Sequence, residues 1–206
     1  MSQAMVPANG ELPRKLNLGS GKSWQEDSLN IDVNPLWRPD VCIDMSLPDL
    51  LARSVHSERF GRFCLPPDYF DEIVAVDVLE HVPNLVALMT NCLKLLRNGG
   101  VLNALVPFDL SYGAWQDPTH VRAFNERSWL YYTDWFWYVG WRDARFDLCE
   151  LKFLLSDVGQ KLSSEGASND IVARTPRAVD SMQVTLSKRF LSDAERAEFD
   201  RRTRRA

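Results

Sequence analysis

Lys15–Trp24 reads KLNLGSGKSW, and two chemistries compete for it. GSGKS has the ending of a phosphate-binding loop, whereas LNLGSG is an apolar strand running into a glycine turn, where backbone can approach a ligand closely. Spacing separates the two. A phosphate-binding loop carries its first glycine five residues before the Gly-Lys pair, and that count from Gly21 lands on Leu16, inside the strand. A dinucleotide fingerprint requires a third glycine where Trp24 stands. What survives is a turn built on Gly19 and Gly21, suited to a ligand without phosphates.

Outward from this turn, short apolar runs alternate with turn residues, the rhythm of a βα sheet. RKLNLG is the first predicted strand, SLNIDV a second ending at Asp32, and DVCIDM a short third ending at Asp44. FDEIVAVDVL, Phe70 to Leu79, is a buried fourth strand carrying Asp77, and VLNALVPF a fifth. Between the last two, NLVALMTNCLKLLRNGG predicts a helix with Leu85, Leu88, Met89, Cys92, Leu95 and Leu96 at helical spacing, stopped by Gly99 and Gly100. One glycine and three aspartates thus fall at strand ends, where open α/β sheets hold their ligands.

These residue types define a ligand. An ionised carboxylate only accepts hydrogen bonds, so Asp32 can take both hydroxyls of a ribose and Asp44 the amino group of an adenine. Backbone N–H groups of Gly19, Ser20 and Gly21 can face a small carboxylate. S-adenosylmethionine has all of these parts. LNLGSG, LNIDVNP, CIDMS, FDEIVAVDVLEHV and LKLLRNGGVLNALVP also occur in the order and spacing that resemble a class I S-adenosylmethionine-dependent methyltransferase of the small methyltransferase-domain type, over roughly Lys15 to Phe108. The resemblance implies a Rossmann-like, mostly parallel α/β sheet. It places the methionine part of the cofactor at Leu18, Gly19, Ser20 and Gly21, the ribose at Asp32, the adenine at Asp44 and Met45, and the methyl side at Asp77 and Val78. Two departures stand out: Ser23 replaces the third glycine of the fuller family pattern, and Lys22–Leu29 is too short for the usual first helix, so a turn is expected there.

The acceptor side is expected beyond Pro107, where the chain becomes polar and turn-rich. Methyl transfer from a sulfonium needs positioning above all, and only an acceptor such as a hydroxyl calls for a base. Of the three histidines, His56 lies in a polar stretch and is expected to face solvent. His81, in LEHV, either orients its loop or moves a proton. His120 is the sharper candidate for a base, because QDPTHVRAF brings Asp117, His120 and Arg122 into one turn, where a carboxylate can raise imidazole basicity and Arg122 can pair with an anionic acceptor. DPTH followed by aromatics also resembles methyltransferases encoded among bacterial surface-polysaccharide genes, which implies a glycan or small-molecule acceptor. The cluster from Trp129 to Trp141 is too dense in rings for one helix face. It is expected to serve as a sugar-stacking surface, a lid over the sheet, or a surface for self-association into a homo-oligomer.

Composition narrows the class. A chain of 206 residues with 45% apolar side chains forms one domain, and a net charge of −4 argues against a nucleic-acid partner. The four cysteines lie far apart without metal-ligand spacing, so neither a disulfide framework nor a metal is expected, and a cytoplasmic setting fits. WLYYTDWFWYVGW is too short to span a bilayer. Residues 1–13 are expected to be a disordered lead-in and 14–191 a methyltransferase domain with an aromatic-rich insertion or lid at about 109–142. ARFDLCELKFLL and VDSMQVTLSKRF close the sheet as an antiparallel pair. Residues 192–206 are a basic tail that starts as a helix capped by Ser192 and Glu195. Two other functions compete: a noncatalytic partner-binding protein of the same fold using the aromatic surface, and a nucleotide hydrolase resting on GSGKS alone.

Overall fold

The computed structural model describes residues 11–203. Most of the expected lead-in, and the last two arginines, lie outside them. Glu11–Pro13 lie inside, and Leu12 is buried in the core.

The chain runs β1 (Lys15–Leu18), β2 (Ser28–Asp32), β3 (Val41–Cys42), β4 (Ser54–Ser57), β5 (Gly61–Cys64), β6 (Phe70–Val76), α1 (Leu85–Leu95), β7 (Leu96–Pro107), α2 (Gly113–Gln116), β8 (Ala144–Leu155), α3 (Asp157–Ser164), α4 (Asn169–Arg174), β9 (Val179–Phe190) and α5 (Asp193–Thr203). Seven strands form one sheet in the order β3-β2-β1-β6-β7-β9-β8. The first five neighbours pair in parallel, and β9 inserts antiparallel to both β7 and β8. This is the mixed, mostly parallel Rossmann-like sheet expected, with its antiparallel C-terminal pair. From β1 the chain first builds outward through β2 and β3, then returns to lay β6 and β7 on the other side. The loops leaving β1 and β6 therefore diverge and open a crevice at the strands' carboxyl ends.

Every residue of β2 is buried, and its polar members are satisfied in place. The Asn17 amide donates to Asn30 Oδ1 at 3.0 Å, and the Asn30 amide donates to Asp40 at 2.9 Å. Helix α1 starts under an Asn84 cap that accepts from the Ala87 amide and packs Leu85, Leu88, Met89, Cys92 and Leu95 onto the sheet.

Four features correct or extend the sequence expectation. Helix α1 ends at Leu95, not at Gly99, and Leu96 is already extended at φ −67°, ψ 139°. The two glycines serve a bulge instead. Gly99 adopts φ +77°, and a Cβ on Gly100 would lie 2.8 Å from the Phe70 carbonyl oxygen, so only glycine lets β7 enter beside β6. Secondly, the hairpin β4–β5 occupies the connection from β3 to β6, burying Val55 and Phe63 and leaving His56 exposed. Thirdly, α3 and α4 fill the connection between β8 and β9. Finally, the aromatic segment is a chain of turns with a single 3-10 turn at Ser128–Tyr131. Trp129, Tyr132, Phe136 and Trp141 are core residues, whereas Tyr131, Trp135 and Tyr138 face out and pack on each other at 5.2 and 5.3 Å.

At the tail, Ser192 and Glu195 exchange the reciprocal bonds of a capping box. Glu195 also accepts from Arg189 on β9, tying α5 to the sheet.

Candidate active site

The crevice holds a cavity of about 520 Å³ lined by Leu18, Gly19, Asp32, Asp44, Met45, Asp77 and Val78, with His81 and Leu88 at its edges. Seven of the nine residues expected around a cofactor therefore share one wall, while Ser20 and Gly21 lie behind it. The segment 22–27, ahead of β2, is irregular turn without a helix. Gly19, at φ +64°, is indispensable on steric grounds, because a Cβ there would lie 2.3 Å from Val78 Cγ2 and 3.2 Å from Cγ1. Strands β1 and β6 thus meet at van der Waals contact across the cavity floor.

The amides of the turn behave differently from the expectation. Gly19 N and Ser20 N donate to the Ile31 carbonyl at 2.8 and 3.1 Å, and Gly21 N donates to Asp32 Oδ2 at 2.8 Å. None of the three is left for a ligand carboxylate, so the turn contributes closeness of approach rather than an anion nest. Asp32 also accepts from the Asn34 amide through Oδ1. Each of its oxygens keeps a second lone pair for hydroxyl donors. Asp44 is exposed and accepts from the Ser46 amide at 2.8 Å, and it too keeps free acceptor capacity. Buried Asn91 on α1 holds this loop by donating to the Met45 and Leu47 carbonyls, both at 2.8 Å.

Beside this cavity, and sharing Asp77 and His81 with it, lies a second of about 480 Å³. Its lining is polar: Glu80, Gln116, Asp117, His120, Asp180 and Ser181 face it together with Tyr112. Asp77 sits at φ +52°, a left-handed conformation rare outside glycine, where β6 turns sharply into the 3-10 turn Leu79–His81. Burial pushes the Asp77 carboxyl above its ordinary range, against the pull of the nearby imidazoles. The loop after β7 is pinned over the 3-10 turn by Val121 N donating to the Glu80 carbonyl at 2.9 Å.

This docking brings His81 and His120 together edge to face, with ring centroids 4.5 Å apart. Each imidazole is oriented through Nδ1. His120 Nδ1 lies 3.1 Å from the Ala114 carbonyl, which can only accept, so Nδ1 carries the proton and Nε2 the lone pair. His81 Nδ1 lies 2.9 Å from Thr119 Oγ1, whose hydroxyl sits 2.7 Å from Asp117 Oδ1. Hydrogen bonds from Thr119 hold the Asp117 carboxyl below its usual range. An ionised Asp117 requires the threonine proton, so Thr119 accepts from His81, and His81 Nε2 is bare as well.

Two expected pairings fail. Asp117 serves His81 through Thr119 rather than His120, and the carboxylate facing His120 is Glu80, at 4.0 Å from Nε2. Arg122 is spent on the Val82 and Pro83 carbonyls, at 2.7 and 2.8 Å, because the loop folds back over the 3-10 turn. It lines neither cavity. Glu80, missed by the sequence reading, is 1% exposed through its side chain, and neither carboxylate oxygen has a hydrogen-bond partner among the described residues. Burial pushes its carboxyl up to about 7, and the neighbouring Asp77 adds to the rise. The available signal was spacing: Asp77, Glu80 and His81 occupy one tight turn at a strand end.

Comparison with known proteins agrees with this architecture. Residues 41–104 match the sequence profile of the family described as methyltransferase domain. No curated protein sequence matches the chain significantly. Among solved structures, the fold is similar to a SAM-dependent methyltransferase from Archaeoglobus fulgidus, with a TM-score of 0.54 and 18% identity over 85% of this chain and 86% of that one. It is also similar to an S-adenosylmethionine-dependent methyltransferase from Mesorhizobium loti, at 0.51 and 14% over 88% and 93%. Residues 41–104 thus match a methyltransferase-domain model, and the fold as a whole is similar to that of S-adenosylmethionine-dependent methyltransferases. The [4+2]-cyclase SpnF has a similar fold, with a TM-score of 0.53 and 14% identity over 88% of this chain and 77% of that one. Fold therefore leaves the acceptor chemistry to be read from the site.

Proposed function

We propose that this chain transfers the methyl group of S-adenosylmethionine to a hydroxyl of a small polar molecule or a glycan, as its resemblance to surface-polysaccharide methyltransferases suggests. The observation that carries this reading is the common wall of the two cavities: Asp77 and His81 line both. A methyl donor in the first thus faces an acceptor in the second. Asp32 would hold the ribose, Asp44 the adenine edge, and Gly19 with Leu18 and Val78 the methionine part.

Bound cofactor supplies an already activated methyl group, so the chain's task is to align the acceptor and take its proton. The acceptor oxygen forms the new C–O bond, the C–S electron pair returns to sulfur, and the hydroxyl proton leaves at the Glu80–His81–His120 cluster, where His120 Nε2 offers a lone pair. Carboxylates and imidazoles around the second cavity favour neutral, hydroxyl-rich acceptors over anionic ones. The outward rings Tyr131, Trp135 and Tyr138 offer a surface for a partner or second copy.

Transfer of labelled methyl from S-adenosylmethionine to a panel of sugars, nucleotide sugars and small alcohols tests the reading. Label is expected in alkali-stable ethers. Label confined to amines, or none transferred by protein that binds S-adenosylhomocysteine, contradicts it.

A further inference from the structure

The least satisfied group among the described residues is the Glu80 side chain: a carboxylate essentially sealed from solvent, with no hydrogen bond to either oxygen. A buried carboxyl without a counter-charge either keeps its proton or is met by something cationic. The arginine nearest in sequence beyond His120, Arg122, is committed to two carbonyls. What faces Glu80 instead is a pair of imidazoles, and the donor atoms of Glu80, His81 and His120 all lie within 4.8 Å of one another.

Both rings are presented as ligands. The Nδ1 of His120 is tied to a backbone carbonyl and that of His81 to the Thr119–Asp117 pair. Such outer hydrogen bonds fix the tautomer that leaves Nε2 free and are the usual support of a metal-bound histidine. Two imidazoles and one carboxylate on a single face match the ligand set of divalent first-row cations, and the imidazoles select against magnesium and calcium, which prefer oxygen.

We infer that Glu80, His81 and His120 form a binding site for one divalent transition cation of the Mn²⁺ or Zn²⁺ class, opening onto the acceptor cavity. The cation's remaining positions face that cavity, where an acceptor hydroxyl can enter. Coordination there stabilises the oxygen as its proton passes to water, so that its lone pair can attack the methyl carbon. His120 then acts as a ligand rather than as a free base. The catalytic role rests on the hydroxyl-transfer reading above; the binding site does not.

The test uses the full chain, stripped with EDTA and dialysed, and titrates Mn²⁺ alone while the free-ion electron paramagnetic resonance signal is followed, with Zn²⁺ by calorimetry as a second probe. One cation per chain is expected. His120→Ala and Glu80→Gln should each weaken binding at least about tenfold, and Thr119→Val should do so through His81 alone, in the range of about 10- to 100-fold for outer-shell partners. Affinity for S-adenosylhomocysteine should stay within about twofold in all three. Glu80→Gln removes a buried charge and keeps the shape, so it guards against a variant that simply does not fold. Stoichiometric cation binding without S-adenosylhomocysteine binding would overturn the cofactor reading and leave the metal site standing. Folded protein that binds S-adenosylhomocysteine but takes up neither Mn²⁺ nor Zn²⁺, or binds them equally in Glu80→Gln, overturns the metal site.

Discussion

Replacing Gly19 by alanine tests the floor of the first cavity. Two separate costs follow from the geometry. Gly19 sits at φ +64°, a left-handed conformation that costs an L-residue about 1–2 kcal/mol. The new methyl would also stand 2.3 Å from Val78 Cγ2 and 3.2 Å from Cγ1, so rotating the valine exchanges one clash for another, and overpacking of this kind costs about 1–3 kcal/mol. Together these predict a loss of about 2–5 kcal/mol, a large part of the roughly 5–15 kcal/mol of an ordinary domain. At this chain length the loss corresponds to a fall in Tm of roughly 4–20 °C. Val78→Ala removes both offending methyls, so in the double variant the clash should vanish and only the backbone cost remain. A urea-denaturation cycle over the four proteins measures this coupling, expected at about 1–3 kcal/mol in favour of the double variant. A Gly19→Ala loss below about 1 kcal/mol, or a coupling near zero, would refute the argument that β1 and β6 are in contact through this pair.

Other consequences follow from single contacts. Asn91→Ala removes both donors to the Met45 and Leu47 carbonyls and should cost about 2–4 kcal/mol in urea unfolding, while weakening S-adenosylhomocysteine binding through the loosened Asp44 loop. His120→Ala should lower turnover by about 10² to 10⁴ with cofactor affinity nearly unchanged, read by separate rate and calorimetric measurements. Hydrogen bonds from Arg189 hold the Glu195 carboxyl far below the ordinary carboxylate range. Because the folded value is the depressed one, this stabilisation is complete above the unfolded value near 4.3 and is lost as pH falls toward the folded one. The Tm advantage of the wild type over Glu195→Gln should therefore be constant from pH 7 to about 5 and shrink steadily below it; an advantage that grows on acidification is the contrary result.

The sheet was legible where residues carry local instructions. Leu16 and Leu18 before Gly19, and the apolar run of β6, announce buried strands, and the aspartates that follow fall on one cavity because parallel strands end on the same edge. The hairpin β4–β5 was not legible, since ARSVHSERFGRFCL alternates loosely and its turn is marked by Gly61 alone, at φ +71°. LRNGG misled because a glycine pair after a helical run stops a helix in most contexts. Here Phe70 fixes it as a strand bulge from across the sheet. In the site, sequence proximity suggested Asp117 for His120 and Arg122 for an anion, but the loop after β7 folds over the 3-10 turn after β6, and that contact sets the partners. Through it Glu80 reaches His120, Asp117 reaches His81, and Arg122 turns inward. A cation site assembled from two distant loops has no Cys/His spacing to betray it.

In the proposed function, the crevice between β1, β2 and β6 binds the nucleoside of S-adenosylmethionine through Asp32. Calorimetric titration of S-adenosylhomocysteine into wild-type protein and Asp32→Ala tests it most directly. One saturable site is expected in the wild type, with a loss of at least about tenfold in the variant, the worth of a charged hydrogen bond. Folded wild-type protein that gives no binding heat at several temperatures, or Asp32→Ala that binds as tightly as the wild type, would contradict it.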